Sequence, residues 1–213
     1  DYYKDIDAIV EAFEKFLALL PEDGVFVACA DDPRVMKLAK QSDLNVVTYG
    51  LTGGDYTAKD VEFDAEGNAG FTVLFHGEPL GKVQLSVPGM HNVVNALGSI
   101  AVADRLKVPF AVSAKALNQF RNTKRRFEYY GERNGVKVFH DYGHHPNEIR
   151  ATLDAAKRVP HNRLICVFQC NSYTRACTLF CEHVVCFRDA DMVLVPDIYP
   201  GREKDTGIVH ARD

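Results

Sequence analysis

Between residues 3 and 20, Ile6, Ile9, Val10, Phe13, Phe16, Leu17 and Leu20 recur at steps of three and one with charged residues between them. That stripe predicts an amphipathic helix, which Pro21 and the Glu22-Asp23-Gly24 turn bring to an end. The unbroken apolar run Gly24-Val25-Phe26-Val27-Ala28-Cys29-Ala30 predicts a strand covered on both faces. Asp31-Asp32-Pro33 then opens a second helix, with a carboxylate to cap it and proline at the first helical position, where a missing N–H costs nothing. Val46-Val47-Thr48-Tyr49 is the next strand. From 57 to 87 the period falls to two, clearest in Phe71-Thr72-Val73-Leu74-Phe75 and Lys82-Val83-Gln84-Leu85-Ser86-Val87. Antiparallel strands follow from that alternation, with turns at Glu66-Gly67-Asn68 and Gly77-Glu78-Pro79. Helices run from His91 to Leu106 and from Phe110 to Phe120.

The basic segment Arg121-Asn122-Thr123-Lys124-Arg125-Arg126 precedes a new alternation, and a domain boundary is placed in it, giving 1–122 and 123–213. Strands at Phe127-Glu128-Tyr129-Tyr130, Val136-Lys137-Val138-Phe139, 164–168 and Met192-Val193-Leu194-Val195 are separated by helices after Pro146 and from about 174 to 187. This pattern implies α/β units and a mainly parallel sheet. So few strands leave a face or an edge uncovered, which predicts that the chain stops inside its domain.

Charge narrows the function. With 25 basic and 29 acidic side chains the net charge is −4, which leaves no general basic field for nucleic acid. No apolar run reaches the roughly 18 residues of a membrane span, and the first residues lack the basic start and apolar stretch of a signal peptide. A cytoplasmic chain is the expectation. Five of the 6 cysteines lie between Cys166 and Cys186, but without a CxxC pair or a common zinc spacing. No metal site is expected there; buried or half-buried free thiols are.

Four segments carry candidate chemistry. In Pro88-Gly89-Met90-His91-Asn92-Val93-Val94-Asn95, Asn92 and Asn95 share a face near a helix start. Two carboxamides that donate and accept together match an adenine edge, although capping by Asn92 and a solvated Asn95 explain the spacing as well. Arg125-Arg126-Phe127-Glu128 places cations where a phosphoryl group would need neutralising, or forms a solvated basic turn. Asp141-Tyr142-Gly143-His144-His145-Pro146 follows a strand and precedes a helix, the position at which open α/β sheets bind ligands. Phe168-Gln169-Cys170-Asn171-Ser172-Tyr173-Thr174-Arg175 sits at another such junction, with Arg175 able to face an anion or simply to lie exposed beside a capped turn. No GxxxxGK[ST], GxGxxG or GxSxG motif occurs.

Together, in this order, the segments resemble the Mur ligases of bacterial cell-wall synthesis, and within them the branch that adds L-alanine. VPGMHNVVNALGSIAVA is similar to the family's PGxHNxxNAxAAxAxA helix, RRFE to the end of its central domain, DYGHHPNEI to its DYGHHPxEI loop, VFQCNSYTR to FQPHxYxR, and DIYPGREKDTGIV to its DIYxAxE stretch. The opening DYY is similar to the end of an ExDHxDYY motif. The resemblance implies a central ATP-binding domain with a mixed sheet, lacking its phosphate loop, and an incomplete Rossmann-like C-terminal domain. It implies an ATP-driven amide ligation of L-alanine to UDP-N-acetylmuramate through an acyl phosphate. His91, Asn92 and Asn95 would then hold the nucleotide, and Arg126 and Asp141 would contact nucleotide or phosphate. His144 would act with them, while Tyr142, His144, His145, Asn171 and Arg175 would face the amino acid or the muramyl substrate.

Magnesium is implied too, with its ligands and the phosphate-loop lysine before Asp1, so the chain alone is expected to be inactive. Two departures stand out: Cys170-Asn171 replace the family's Pro-His, and His140 stands where aspartate is usual. A sibling ligase attaching a preformed peptide and a non-catalytic nucleotide-binding paralogue remain as alternatives.

Overall fold

The computed structural model describes residues 3–205 and 207–213. Asp1 and Tyr2 of the DYY segment, and Thr206 of the DIYPGREKDTGIV stretch, lie outside the described residues. The chain forms two compact units, one of residues 3–64 and 68–120, the other of residues 65–67 and the described chain from Arg121 on.

In the first unit, α1 (Ile6–Leu17) begins where Asp5 accepts the Ala8 N–H at 2.9 Å. Its stripe makes the helix predicted from periodicity, yet Ile6, Phe13 and Phe16 are exposed. β1 (Val25–Cys29) and β2 (Asn45–Tyr49) run parallel, joined by α2 (Pro33–Gln41). Asp32 caps α2 through the N–H groups of Arg34 and Val35, as its place before proline predicts. β3 (Tyr56–Phe63), β4 (Asn68–Phe75) and β5 (Glu78–Pro88) form the antiparallel meander that completes a five-stranded mixed sheet in the order β1-β2-β3-β4-β5. β1 therefore lies at an edge and is half-buried, not covered on both faces as its apolar run predicts. An apolar run records what a strand can bury; the number of neighbours decides what it does bury.

α3 (Met90–Arg105) lies on this sheet and α4 (Phe110–Gln119) packs against β5. Val47, Tyr56, Phe71, Val73, Leu85, Val93, Leu97 and Ile100 make the core, each large side chain contributing about 1.5–3 kcal/mol by leaving water. Gly98 lets α3 approach β2, since a Cβ there would stand 2.9 Å from the Tyr49 ring.

In the second unit, β6 (Glu128–Arg133) and β7 (Val136–His140) form an antiparallel hairpin. Asn134 and Gly135 both take positive φ, 53° and 78°, the turn that fits two twisted strands together. The mainly parallel pairing predicted for this half is thus limited, among the described residues, to β8 (Ile165–Val167) with β9 (Met192–Leu194) and an isolated parallel bridge between Asn171 and Tyr199. α5 (Pro146–Arg158) follows the hairpin. α6 (Tyr173–Thr178) and α7 (Phe180–Cys186) replace the single predicted helix, because Leu179 departs from helical geometry at φ −108°, ψ 21°. Ile149, Leu153, Phe168, Cys170, Cys186 and Ile198 are the core of this unit. Cys170 and Cys186 are buried and Cys166 half-buried, but Cys177 and Cys181, predicted to be covered, are exposed on the two short helices. Among the described residues no helix is long and apolar enough to cross a membrane.

Candidate functional site

In the first unit the site begins at the end of β5. Gly89 occupies the N-cap of α3 at φ 94° and supplies no side-chain cap, so Asn92 lies inside the first turn and is not the capping residue. Its Nδ2 donates to the Pro88 carbonyl at 2.8 Å, and Asn95 Nδ2 donates to Asn92 Oδ1 at 3.4 Å. The two carboxamides are thus joined on one helix face, with His91 exposed at the helix start. Asn95 also lines an open cavity of about 560 Å³ with Val27, Tyr49, Gly98, Ser99 and Val102. The Asn95 amide beside Val27, Tyr49 and Val102 suits a flat ligand with a polar edge.

In the second unit, backbone geometry brings the Arg125–Phe127 turn against the loop after β7. Arg125 and Phe127 sit at φ 61° and 46°, unusual for side chains of their size, and are held there by the loop. Asp141 Oδ2 accepts the Phe127 N–H at 2.8 Å while its Oδ1 accepts the Gly143 N–H at 2.6 Å. The Tyr142 N–H donates to the Arg125 carbonyl at 2.7 Å, and the Arg125 guanidinium lies over the Tyr142 ring at 5.8 Å. A Cβ on residue 143 would come within 2.7 Å of Asp141 Oδ1 and 3.2 Å of Glu148 Cβ, so the loop requires glycine there.

Beyond Gly143, His145 caps α5 by accepting the Asn147 N–H through Nδ1 at 3.2 Å. Glu148 closes the other half of that box and reaches further, to the His144 N–H and to Arg126. Burial pushes the Glu148 pKa up, but the N–H groups of His144 and His145, the His144 charge and the Arg126 hydrogen bond together lower it. His144 Nδ1 lies 3.0 Å from the Tyr142 carbonyl oxygen. Arg126, Asp141, Tyr142, His144 and His145 are therefore one cluster.

Asn171 lies in the loop after β8 and Arg175 in the first turn of α6. Ser172, at φ 79°, caps α6 by accepting the Arg175 N–H at 3.3 Å, and Arg175 Nη1 donates to the Asn171 carbonyl at 3.0 Å. His183 of α7 ties this part of the unit to the first cluster: its Nε2 lies 3.4 Å from the His144 carbonyl oxygen and its ring 5.3 Å from Phe168. Three residues outside the set nominated from sequence, Gly143, Glu148 and His183, thus shape the cluster. Gly143 and Glu148 lie within the readable loop motif, Glu148 three positions after the N-cap, whereas His183 carries no signal in the sequence. Among the described residues no three His, Cys, Asp or Glu side chains are arranged to hold a metal.

The chain is similar to known proteins in sequence and in fold. A family model described as the Mur ligase middle domain matches residues 1–103, and one described as the Mur ligase glutamate ligase domain matches residues 125–206. A UDP-N-acetylmuramate--L-alanine ligase of Clostridium tetani is 49% identical over 98% of this chain and 46% of its own length. The crystal structure of UDP-N-acetylmuramate-alanine ligase MurC from Thermotoga maritima is similar with a TM-score of 0.72 and 31% identity, over 92% of this chain and 42% of that one. A MurF ligase from Thermotoga maritima, solved in complex with ADP, shares the fold at a TM-score of 0.74 and 21% identity, over 92% of this chain and 45% of that one. The chain spans about half the length of the curated relatives it matches.

Proposed function

Because the chain belongs to the Mur ligase family, we propose that it serves an ATP-dependent ligase joining L-alanine to UDP-N-acetylmuramate in peptidoglycan synthesis. The 49% identity to a ligase of that name across nearly the whole chain carries this reading. Residues 1–122 are proposed as central ATP-binding domain and 123–213 as Rossmann-like ligase domain, in a cytoplasmic enzyme.

The lactyl carboxylate of UDP-N-acetylmuramate attacks the γ-phosphorus of ATP, ADP leaves, and an acyl phosphate forms. The amine of L-alanine then attacks the acyl carbon, and the tetrahedral intermediate expels phosphate as the nitrogen loses its proton. Such transfers depend on positioning and on charge compensation. Asn92 and Asn95 hold the adenine edge beside the cavity wall, with His91 at the same helix start. Arg126 meets the phosphoryl charge with the guanidinium donors that Glu148 leaves unused. Asp141 fixes the loop and, through the Phe127 N–H, the arginine turn. The bond from His144 Nδ1–H to the Tyr142 carbonyl selects the tautomer whose Nε2 is free to accept the amine proton. Tyr142, Asn171, Arg175, which also donates to the Asn171 carbonyl, and His145, whose Nδ1 is taken up in capping α5, are proposed to contact the substrates. Magnesium, implied by the family, finds no set of three His, Cys, Asp or Glu ligands among the described residues.

The test is phosphate release from ATP by the full-length protein with UDP-N-acetylmuramate, with and without L-alanine. Release that requires L-alanine is expected. Release driven only by a preformed peptide would replace the reading with the sibling ligase, and nucleotide binding without release would replace it with a non-catalytic paralogue.

A further inference from the structure

Glu148 belongs to no group that the ligation chemistry calls for, yet its carboxylate touches three parts of the candidate site. Oε2 accepts the backbone N–H groups of His144 at 3.0 Å and His145 at 3.1 Å. Oε1 accepts Arg126 Nη1 at 3.3 Å, across 22 positions of sequence. His144 Nδ1 stands 3.8 Å from Oε2.

An ordinary capping box needs only one of these contacts, from the third helical residue to the N-cap N–H, here that of His145. The bonds to His144 and Arg126 lie outside the helix and do nothing for its first turn. What they do is fix a cation and a histidine-bearing loop to the same two oxygens. A guanidinium has five N–H donors in a rigid fork, so one contact to Glu148 leaves the others directed by it and available to an anion.

Resting on the ligase reading above, we propose that Glu148 is a positioning residue for the ligation, setting the Arg126 guanidinium relative to the His144 loop. Its effect passes through Arg126. Glu148→Gln separates this role from helix capping: the amide oxygen still accepts the backbone N–H groups, while the amide nitrogen is a donor facing another donor.

In the full-length enzyme, E148Q is expected to melt close to the wild type, to lower kcat on the order of tenfold, and to change KM for ATP and the amine by less than about threefold. Added to R126A, it is expected to cost nothing further, because the partner through which it acts is gone. Wild-type kcat in folded E148Q, or a full additional loss in the R126A background, overturns the proposal. Should E148Q melt well below the wild type, Glu148→Asp, which keeps the charge but is too short to span the amides and Arg126 together, is compared in the same cycle. Running each assay with L-alanine and with a preformed peptide keeps the two ideas apart. Turnover on the peptide alone overturns the L-alanine reading while still deciding Glu148, and turnover on neither overturns both.

Discussion

Asp141 and Phe127 are bound through a carboxylate oxygen and a backbone N–H 2.8 Å apart, and Phe127 sits at a φ of 46°. A side chain of that size occupies the left-handed region at a cost, so the aspartate holds a turn that the chain would otherwise leave. Arg126 precedes Phe127, so the same bond holds the backbone next to the one its side chain leaves, while Glu148 contacts its guanidinium.

Asp141→Asn keeps one acceptor oxygen where two N–H groups need one each. It is expected to destabilise the fold by about 1–3 kcal/mol, the range for leaving a donor without its partner, and to slow phosphate release in the full-length enzyme. Denaturant unfolding and steady-state turnover check this. An unchanged midpoint together with unchanged turnover would remove Asp141 from both roles.

Gly143→Ala tests the packing of the same loop. Its Cβ would lie 2.7 Å from an Asp141 oxygen that is already tied to the backbone, so the aspartate cannot swing away without losing a bond. A loss of about 1–3 kcal/mol is expected, as for overpacking elsewhere. A thermal midpoint equal to that of the wild type would show that the loop has room.

Asn95→Ala is expected to raise KM for ATP with little change in stability, because Asn95 is exposed and its one amide contact is a long one. An ATP titration of turnover, read beside a melting curve, separates lost binding from lost structure. Unchanged KM and kcat would return Asn95 to a solvated helix face.

These residues show where sequence reading succeeds and where it stops. The Asp141 loop is readable because a strand, a glycine, two histidines and a proline stand in one order, and Asp32-Pro33 is readable because capping is local. The period-two stretch of β3 to β5 is readable because its two faces see different surroundings. The half-burial of β1 and the partly exposed stripe of α1 are not, since they depend on what lies across from them. Nor is the break at Leu179, where no glycine or proline marks it. Glu148 stands at the third position of α5, where a capping glutamate belongs, but its reach to Arg126 is a tertiary fact.

The cysteines give an independent check of the second unit. Burial pushes the Cys186 thiol up to about 11 and raises Cys166 and Cys170 above their ordinary value, whereas Cys177 and Cys181 are exposed. Since the thiolate is the nucleophile, a maleimide at neutral pH is expected to label Cys177 and Cys181 first and Cys186 only on unfolding. Mass spectrometry of peptides over time reads this order. Early labelling of Cys186 would contradict the packing of α7.

His183 makes stability depend on pH. Burial lowers its pKa from the ordinary 6.5, outweighing the hydrogen bond to the His144 carbonyl that favours the charged form; the nearby His145 and Arg175 charges oppose protonation and Glu182 favours it. The unfolded chain therefore binds a proton at this residue at a higher pH than the folded one does. Stability must rise with pH through that interval: it is complete above about 6.5 and is lost as the pH falls through that value toward the lower folded one. Glu148, lowered from 4.5, acts with the same sign in a more acid window, so the two separate along the pH axis. Urea unfolding of the wild type between pH 8 and 5 should show a falling midpoint, with a shallower fall in His183→Asn. Parallel slopes in the two proteins would mean that the imidazole is as free to protonate in the fold as outside it, and that the His144 loop is not held from α7.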